Sequence, residues 1–169
     1  MMSRRNILLR LGAVSGAASA AFVGLRGLFS SAPAHAARAY EVTHSDAEWQ
    51  KLLKPDQYQV LRQADTERPG SSPLDKEKRA GVFSCAGCNL PLFSSKTKFE
   101  SGTGWPSFWQ PMEKAVVEDT DTTLFMQRTE VLCRRCGGHL GHVFDDGPKP
   151  TGLRYCMNGV ALNFKPGAA

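Results

Sequence analysis

The sequence lacks an uninterrupted apolar segment long enough to cross a membrane. A transmembrane helix needs about 20 predominantly apolar residues. The weakly apolar, Ala- and Gly-rich stretch that ends near Phe29 is interrupted by Arg10 and Arg26 and diluted by glycines. A permanent membrane span is therefore not expected.

The chain also lacks a marked excess of one charge once its first 36 residues are set aside. Four of its 21 basic residues and none of its 16 acidic residues lie in that segment, which leaves 17 basic against 16 acidic residues. Nucleic-acid binding draws on a basic surface that neutralises phosphates. The balanced charge argues against a nucleic-acid partner. Internal repeats are absent too, apart from two cysteine pairs, and 169 residues fit one domain with an appendage.

Residues 1–36 have the organisation of an export signal. A charged start with Arg4 and Arg5 precedes the weakly apolar stretch, and Ala34-His35-Ala36 has the form of a cleavage site. Paired arginines behind a serine resemble the twin-arginine signal, which carries folded, often metal-loaded proteins across the bacterial inner membrane. An ordinary secretory signal with a coincidental arginine pair is the alternative. We predict that residues 37–169 form a single exported, periplasmic domain without stable membrane insertion.

The remaining chain divides into a helical arm and a β-rich body. Ser45 and Glu48 have the spacing of a capping box and predict a short helix that Pro55 ends or bends. From Gly81 onward, short runs of β-branched and aromatic residues between turn residues predict antiparallel, curled β structure, with strands near 82–85, 115–117 and 124–127. We expect a mainly β fold against which a helical arm at residues 45–64 packs.

Four of the five cysteines form two C-x-x-C motifs, Cys85 with Cys88 and Cys133 with Cys136. Four thiolates so arranged suit a closed tetrahedral zinc site, which is structural because no position remains for water or substrate. Two alternatives stay open. Exported proteins often use cysteines in disulfides, and a single C-x-x-C motif at a helix start can be redox-active.

Cys156 is the cysteine left over, and it lies between Arg154 and Asn158. If this segment is a strand, side-chain alternation places these three residues on one face. A guanidinium beside a thiol favours the thiolate, which is the nucleophilic form. The pattern predicts an activated nucleophile, and a buried, inert cysteine is the alternative.

Two glycine-rich segments supply further candidates. His139 and His142 follow the second cysteine pair on a predicted glycine-rich loop, where two histidines three residues apart can converge on one point. Histidine is the usual acid or base near neutral pH. Alternatively, they satisfy backbone groups, or one of them binds zinc. Trp105 lies between a glycine and a proline, where a loop Trp more often forms a contact surface than core. A core position is its alternative, and Phe108 and Trp109 are the predicted core members.

These segments together resemble the type B methionine sulfoxide reductases. The similarity is carried by residues 102–108, 139–144 and 154–158 with the paired C-x-x-C motifs, and it covers essentially all of residues 45–166. It implies reduction of the R epimer of methionine sulfoxide, protein-bound or free. It also implies a β-tent fold of curled antiparallel sheets that carries one structural zinc ion.

The resemblance further implies a role for each site residue. Cys156 would attack the sulfoxide sulfur and become a sulfenic acid, and Arg154 would support its thiolate. Trp105 and Phe144 would bind the substrate, with Trp105 as the wall for its methyl group. His139, His142 and Asn158 would form hydrogen bonds to the departing oxygen and help to protonate it.

The sequence departs from many family members at Thr103, which occupies the position of a resolving cysteine. With four cysteines on zinc, no second free thiol remains in residues 37–169. The expected partners are oxidised proteins that contain methionine sulfoxide, and a thioredoxin-like or other external thiol reductant. Two competing functions are a zinc-ribbon binding module, which would not need Cys156, and a disulfide-exchange enzyme, which would need one C-x-x-C motif free of metal.

Overall fold

The computed structural model describes residues 38–122 and 127–169. The predicted export signal at residues 1–36, and three residues of the predicted strand at 124–127, lie outside the described residues. Arg38–Ala169 forms one compact unit. No helix within the described residues has both the length and the apolar composition that crossing a membrane requires.

Two short helices open the described chain, α1 over Asp46–Leu52 and α2 over Pro55–Gln63. The predicted capping box is present, because Ser45 N donates to Glu48 Oε2 at 2.8 Å and Glu48 N donates to Ser45 Oγ at 3.4 Å. Pro55 separates the helices and is the first residue of α2. At this position the lack of an N–H costs no hydrogen bond, because the first N–H groups of a helix have no acceptor within the helix.

Nine β-strands follow in the described residues, and all of their pairings are antiparallel. They are β1 Gly81–Cys85, β2 Pro91–Ser94, β3 Lys98–Phe99, β4 Ser107–Phe108, β5 Val116–Asp121, β6 Arg128–Cys133, β7 His139–Phe144, β8 Arg154–Met157 and β9 Leu162–Pro166. One sheet has three strands in the order β2-β1-β9, and the other has six in the order β3-β4-β8-β7-β6-β5. The predicted mainly β, antiparallel fold with short helices is confirmed.

Aromatic side chains join the two sheets. Phe83 and Phe93 of the three-stranded sheet contact Phe108 of the six-stranded sheet, with ring centroids 5.0 and 4.4 Å apart. All three are fully buried, and such pairs contribute about 0.5–1.5 kcal/mol beyond their buried area. Tyr155 extends the cluster from β8. The core therefore anchors the back of the strand that carries Cys156.

The helical arm covers the turns that hold the C-x-x-C motifs. Leu61 of α2 is buried, and a Cβ atom on Gly138 would lie 2.9 Å from its Cδ2 atom. Arg62 Nη1 donates to the carbonyl of Cys136 at 3.0 Å. Glycine at 138 thus permits the close approach of α2 to the second motif.

Candidate active site and metal centre

The two C-x-x-C motifs lie in matching tight turns. Cys85 ends β1 and Cys133 ends β6, and each carbonyl accepts a hydrogen bond of 2.8 Å, from Asn89 N and Gly137 N respectively. Asn89 and Gly137 both adopt left-handed backbone conformations, with φ of 57° and 69°. Asn and Gly are the residues that enter this region most readily.

The four thiols of these turns converge, and we call them the knuckle cysteines: Cys85, Cys88, Cys133 and Cys136. Their Sγ atoms all lie within 4.8 Å of one another. The two short distances join the motifs, at 3.7 Å for Cys85 to Cys136 and 3.5 Å for Cys88 to Cys133. A disulfide needs about 2.05 Å, whereas thiolates bound to tetrahedral zinc at about 2.3 Å lie about 3.8 Å apart. The knuckle cysteines could therefore hold a metal ion.

Cys156 lies on β8, between β4 and β7 in the six-stranded sheet. The strand register places Ser107 and His142 directly opposite it. Cross-strand partners share a face of the sheet. Tyr155 and Met157 point into the core, so the predicted alternation leaves Cys156 on the other face with Ser107 and His142.

Cys156 opens into a cavity of about 130 Å³. That volume is below the roughly 300–1,000 Å³ of typical small-molecule sites, and it suits the end of one side chain. The lining includes four of the predicted site residues besides Cys156, namely Trp105, His142, Phe144 and Asn158. It also includes three residues that sequence reasoning missed, namely Thr66, Arg128 and Gly141.

Trp105 is half-buried and forms part of the cavity wall, so it is not the core residue of the alternative interpretation. Its Nε1 atom donates to the carbonyl of Glu67 at 3.1 Å. The preceding Gly104 has φ of 91°, and a Cβ atom there would lie 2.9 Å from Gly70 N and from Pro69 Cβ. Glycine at 104 therefore allows the Trp105 loop to lie against residues 69 and 70.

A β-bulge brings the two histidines to the same face. Residues three apart on a regular strand point to opposite faces, but the pairing of β7 with β6 skips Leu140. The rings of His139 and His142 lie 5.4 Å apart. A Cβ atom on Gly141 would lie 2.1 Å from the carbonyl oxygen of Cys156, which explains the glycine within this strand. Of the two histidines, His142 lines the cavity and His139 does not.

Each histidine ring contacts a carboxylate instead of a backbone group. His142 Nε2 lies 2.8 Å from Asp121 Oδ2, and His139 Nδ1 lies 2.5 Å from Glu130 Oε1. Burial lowers the pKa of His142, and the bond to Asp121 offsets part of that effect. Burial therefore favours the neutral imidazole of His142. The metal-binding alternative fails for both rings, since among the described residues the metal group contains cysteines alone.

The Arg154 guanidinium is held beside Cys156 by a carboxylate and a ring. Its Nε and Nη2 atoms each donate to Asp146 at 2.8 Å, and it lies 4.4 Å from the ring centre of Phe144. Burial nevertheless raises the pKa of Cys156, and Thr103, Arg154 and other polar neighbours offset only part of that rise. Arg154 acts in the predicted direction, but burial has the larger effect and favours the neutral thiol.

Comparison with known protein families agrees with this arrangement. The SelR domain matches residues 53–166. This chain belongs to the SelR family. The relatives include "Peptide methionine sulfoxide reductase MsrB" of Methanosarcina barkeri, 59% identical over 125 residues that cover 73% of this chain and 88% of that protein. The protein of the same name from Leptospira interrogans is 54% identical, and the match covers 75% of this chain and 97% of that protein. The one from Pseudomonas putida (strain W619) is 58% identical, and the match covers 70% of this chain and 90% of that protein.

In this SelR domain, Asn158 lies just beyond β8, and both its side-chain nitrogen and its side-chain oxygen form hydrogen bonds. Its Nδ2 atom donates to Leu140 O at 3.2 Å, and its Oδ1 atom accepts from Glu67 N at 3.0 Å. An amide nitrogen has two hydrogens. One donor therefore remains for a group in the cavity.

Sequence reasoning did not identify the carboxylates that orient the SelR site, namely Glu67, Asp121, Glu130 and Asp146. The sequence contained a signal for one of these carboxylates, Asp121. Asp121 and Arg128 are opposite each other in the register of β5 and β6, and their ion pair measures 2.6 Å. A hairpin with opposite charges at its end predicts such a cross-strand pair. The other contacts depend on non-local packing that the sequence does not display.

Proposed function

We propose that this SelR-family enzyme is a peptide-methionine (R)-S-oxide reductase that uses Cys156 as its nucleophile. The observation that carries the proposal is that the only cysteine outside the metal group opens into a small cavity lined by Trp105, Phe144 and His142. The names of the related proteins, peptide methionine sulfoxide reductases, support the same activity. A zinc-ribbon binding module would need neither this cavity nor this thiol.

The reaction moves one oxygen from the substrate sulfur to the enzyme sulfur. Cys156 Sγ attacks the sulfoxide sulfur and forms a sulfur–sulfur bond. The oxygen then passes to Sγ, so that a new sulfur–oxygen bond forms while the sulfur–sulfur bond and the sulfur–oxygen bond of the substrate break. The thiol and the sulfoxide thus yield a sulfenic acid on Cys156 and methionine, so that the cysteine is oxidised and the substrate reduced. The thiol proton is retained in the sulfenic acid, which balances the step.

The cavity offers different places to the substituents of the sulfoxide sulfur. Trp105 and Phe144 supply apolar surface for the methyl group, while His142 and Asn158 supply polar atoms for the oxygen. The sulfur of a sulfoxide is stereogenic, so exchanging oxygen and methyl would place the oxygen against an aromatic ring. Burial of an unpaired polar group is unfavourable. This arrangement supports selection of one epimer.

Regeneration of Cys156 is proposed to use an external thiol. The neighbour at the position of a resolving cysteine is Thr103, whose Oγ1 atom lies 3.9 Å from Cys156 Sγ and has no redox chemistry. One thiol would attack the sulfenic acid, releasing water and leaving a mixed disulfide. A second thiol would then release reduced Cys156 as the external disulfide forms.

We further propose that the knuckle cysteines hold zinc and that residues 1–36 direct export to the periplasm by the twin-arginine route. The intermotif sulfur distances support zinc. The arginine pair and the Ala-x-Ala segment support export. Metal loading before export would be compatible with a route that carries folded proteins.

The test of the activity uses the separated R and S sulfoxides of a blocked methionine with a dithiol reductant. We expect the R epimer alone to be consumed by zinc-loaded protein. Cys156→Ser is the control, because it changes one atom at the nucleophile. Turnover of the S epimer alone, or of neither epimer, would overturn the proposal.

The test of the intermediate uses one equivalent of the R sulfoxide without reductant, followed by a sulfenic-acid reagent and peptide mass analysis. We expect one modified site, at Cys156, and loss of one titratable thiol with full retention of zinc. A disulfide between Cys156 and a knuckle cysteine, with zinc released, would show that the metal site supplies the resolving thiol.

A further inference from the structure

A coil between α2 and β1 forms part of the cavity wall. We call residues 66–70 the brace. Thr66 lines the cavity, and Gly70 N donates to the carbonyl of Gly104 at 2.7 Å. The brace is therefore joined by its backbone to the loop that presents Trp105.

The backbone and the side chain of Glu67, within the brace, both form hydrogen bonds to other segments of the chain. Its carbonyl accepts from Trp105 Nε1 at 3.1 Å, and its N–H donates to Asn158 Oδ1 at 3.0 Å. Its carboxylate accepts from Gly159 N at 2.5 Å and from Val160 N at 3.2 Å. One residue thus links the aromatic wall to the chain segment that follows Cys156.

The segment bound by the Glu67 carboxylate begins a short 3₁₀ turn, Gly159–Ala161, directly after Asn158. It is closely packed, since a Cβ atom on Gly159 would lie 2.1 Å from Ser72 Oγ. Burial raises the pKa of Glu67, and the Gly159 and Val160 N–H donors offset part of that rise. The Glu67 carboxylate is thus half-buried and held by two backbone N–H groups of the turn after Asn158.

We propose that Glu67 is a positioning residue for methionine sulfoxide binding. Its carboxylate holds the brace against the turn after β8, and its backbone then sets the Trp105 indole and the Asn158 amide. The inference rests on the proposed function. It concerns the cavity and not the thiol, because the groups that lower the pKa of Cys156, namely Thr103, Ser107 and Arg154, all lie outside the brace.

The first test is Glu67→Gln, which keeps the shape but replaces one acceptor oxygen with a donor that faces a backbone N–H. We expect KM for the R sulfoxide to rise about 10- to 100-fold, as a displaced binding group can cause, with little change in kcat. Alkylation of Cys156 by iodoacetamide should stay within about twofold of wild type, since the thiol environment is unchanged. Glu77→Gln is the matched control, because Glu77 pairs with Arg79 outside the cavity.

A double-mutant cycle then asks whether Glu67 acts through Trp105. Trp105→Phe keeps an aromatic wall but removes the Nε1 donor to Glu67. We expect the two changes to be non-additive in kcat/KM, with the double variant close to the more impaired single variant. Strictly additive effects, or equal losses of alkylation rate and thermal stability in Glu67→Gln, would overturn the inference.

An activity-independent measurement separates this inference from the proposed function. The chain has three tryptophans, and Trp105→Phe assigns the Trp105 indole N–H resonance by its disappearance. We expect Glu67→Gln to speed hydrogen exchange of that indole N–H at least about tenfold, since its acceptor is no longer held in place, while the other two indoles are unchanged. An unchanged Trp105 exchange rate overturns the positioning role, whereas inactive wild-type protein would overturn only the proposed reaction.

Discussion

The knuckle cysteines and Cys156 carry the same thiol in two different settings. The knuckle Sγ atoms lie 3.5–3.7 Å from another sulfur across the two motifs, whereas Cys156 Sγ lies 3.9 Å from the Thr103 hydroxyl and opens into a cavity. The former occupy tight turns where strands end. Cys156 lies within a strand, facing groups from its neighbours. Placement at a turn or within a sheet therefore separates the candidate metal ligands from the candidate nucleophile.

The two settings also differ in how they are built. Each C-x-x-C turn is local, because its carbonyl and N–H partners lie within four residues of each other. The surroundings of Cys156 are assembled from β4, β7 and the brace, which are distant in sequence. A substitution in the metal group should therefore unfold the protein, whereas a substitution at the Cys156 site should abolish activity while the fold persists.

The largest expected effect is that of Cys133→Ser. Structural zinc sites have apparent binding free energies of about 10–16 kcal/mol, which matches or exceeds the 5–15 kcal/mol stability of a typical domain. Loss of one ligand should therefore unfold the protein. Zinc content and circular dichroism check this. A folded, zinc-free variant would contradict a structural metal.

Cys156→Ser makes the same atomic change in the other setting. We expect turnover to fall by roughly 10⁴-fold or more, as for loss of other covalent nucleophiles. Zinc content and the melting temperature should stay near wild type, because the serine hydroxyl fits the same space. Substantial residual reduction of the R sulfoxide would refute the role of Cys156.

Asp121→Asn should shift the pH profile of kcat/KM. If protonated His142 assists departure of the oxygen, activity rises as pH falls toward its pKa, which burial holds below the ordinary value. Asp121 raises the pKa of His142. Replacing its carboxylate with a neutral amide should therefore lower that pKa and move the rise in kcat/KM to a still lower pH. Initial rates between pH 5 and 8 measure the shift, and a profile displaced toward higher pH would exclude His142 as the acid.

The smallest expected effect is that of Arg154→Met, which keeps contact with Phe144 but removes the charge. The positive charge of Arg154 lowers the pKa of Cys156 against the larger effect of burial, so its removal should raise that pKa further. Alkylation by iodoacetamide near neutral pH should then slow severalfold, with zinc retained. Unchanged alkylation would mean that Arg154 serves only to pack against Phe144.

The sequence predicted much of the fold and part of the site. The capping box at Ser45, the antiparallel strands after Gly81 and the four-thiol group follow from local rules of spacing and turn chemistry. Side-chain alternation on β8 was also predictable. Convergence of His139 and His142 was predicted from a glycine-rich loop, but both lie on β7. Their shared face depends on a bulge at Leu140 that appears only when β7 is paired with β6.

By itself, the sequence determined the two C-x-x-C turns, the single remaining thiol and the presence of a threonine at position 103, because residue identity and short-range spacing decide these features. Tertiary structure alone decided that burial outweighs Arg154 in setting the pKa of Cys156, which carboxylates contact the histidines, and that Glu67 joins Trp105 to Asn158. These contacts depend on strand register and on the approach of coils remote in sequence. No local pattern encodes them, since each forms only when the whole domain is packed.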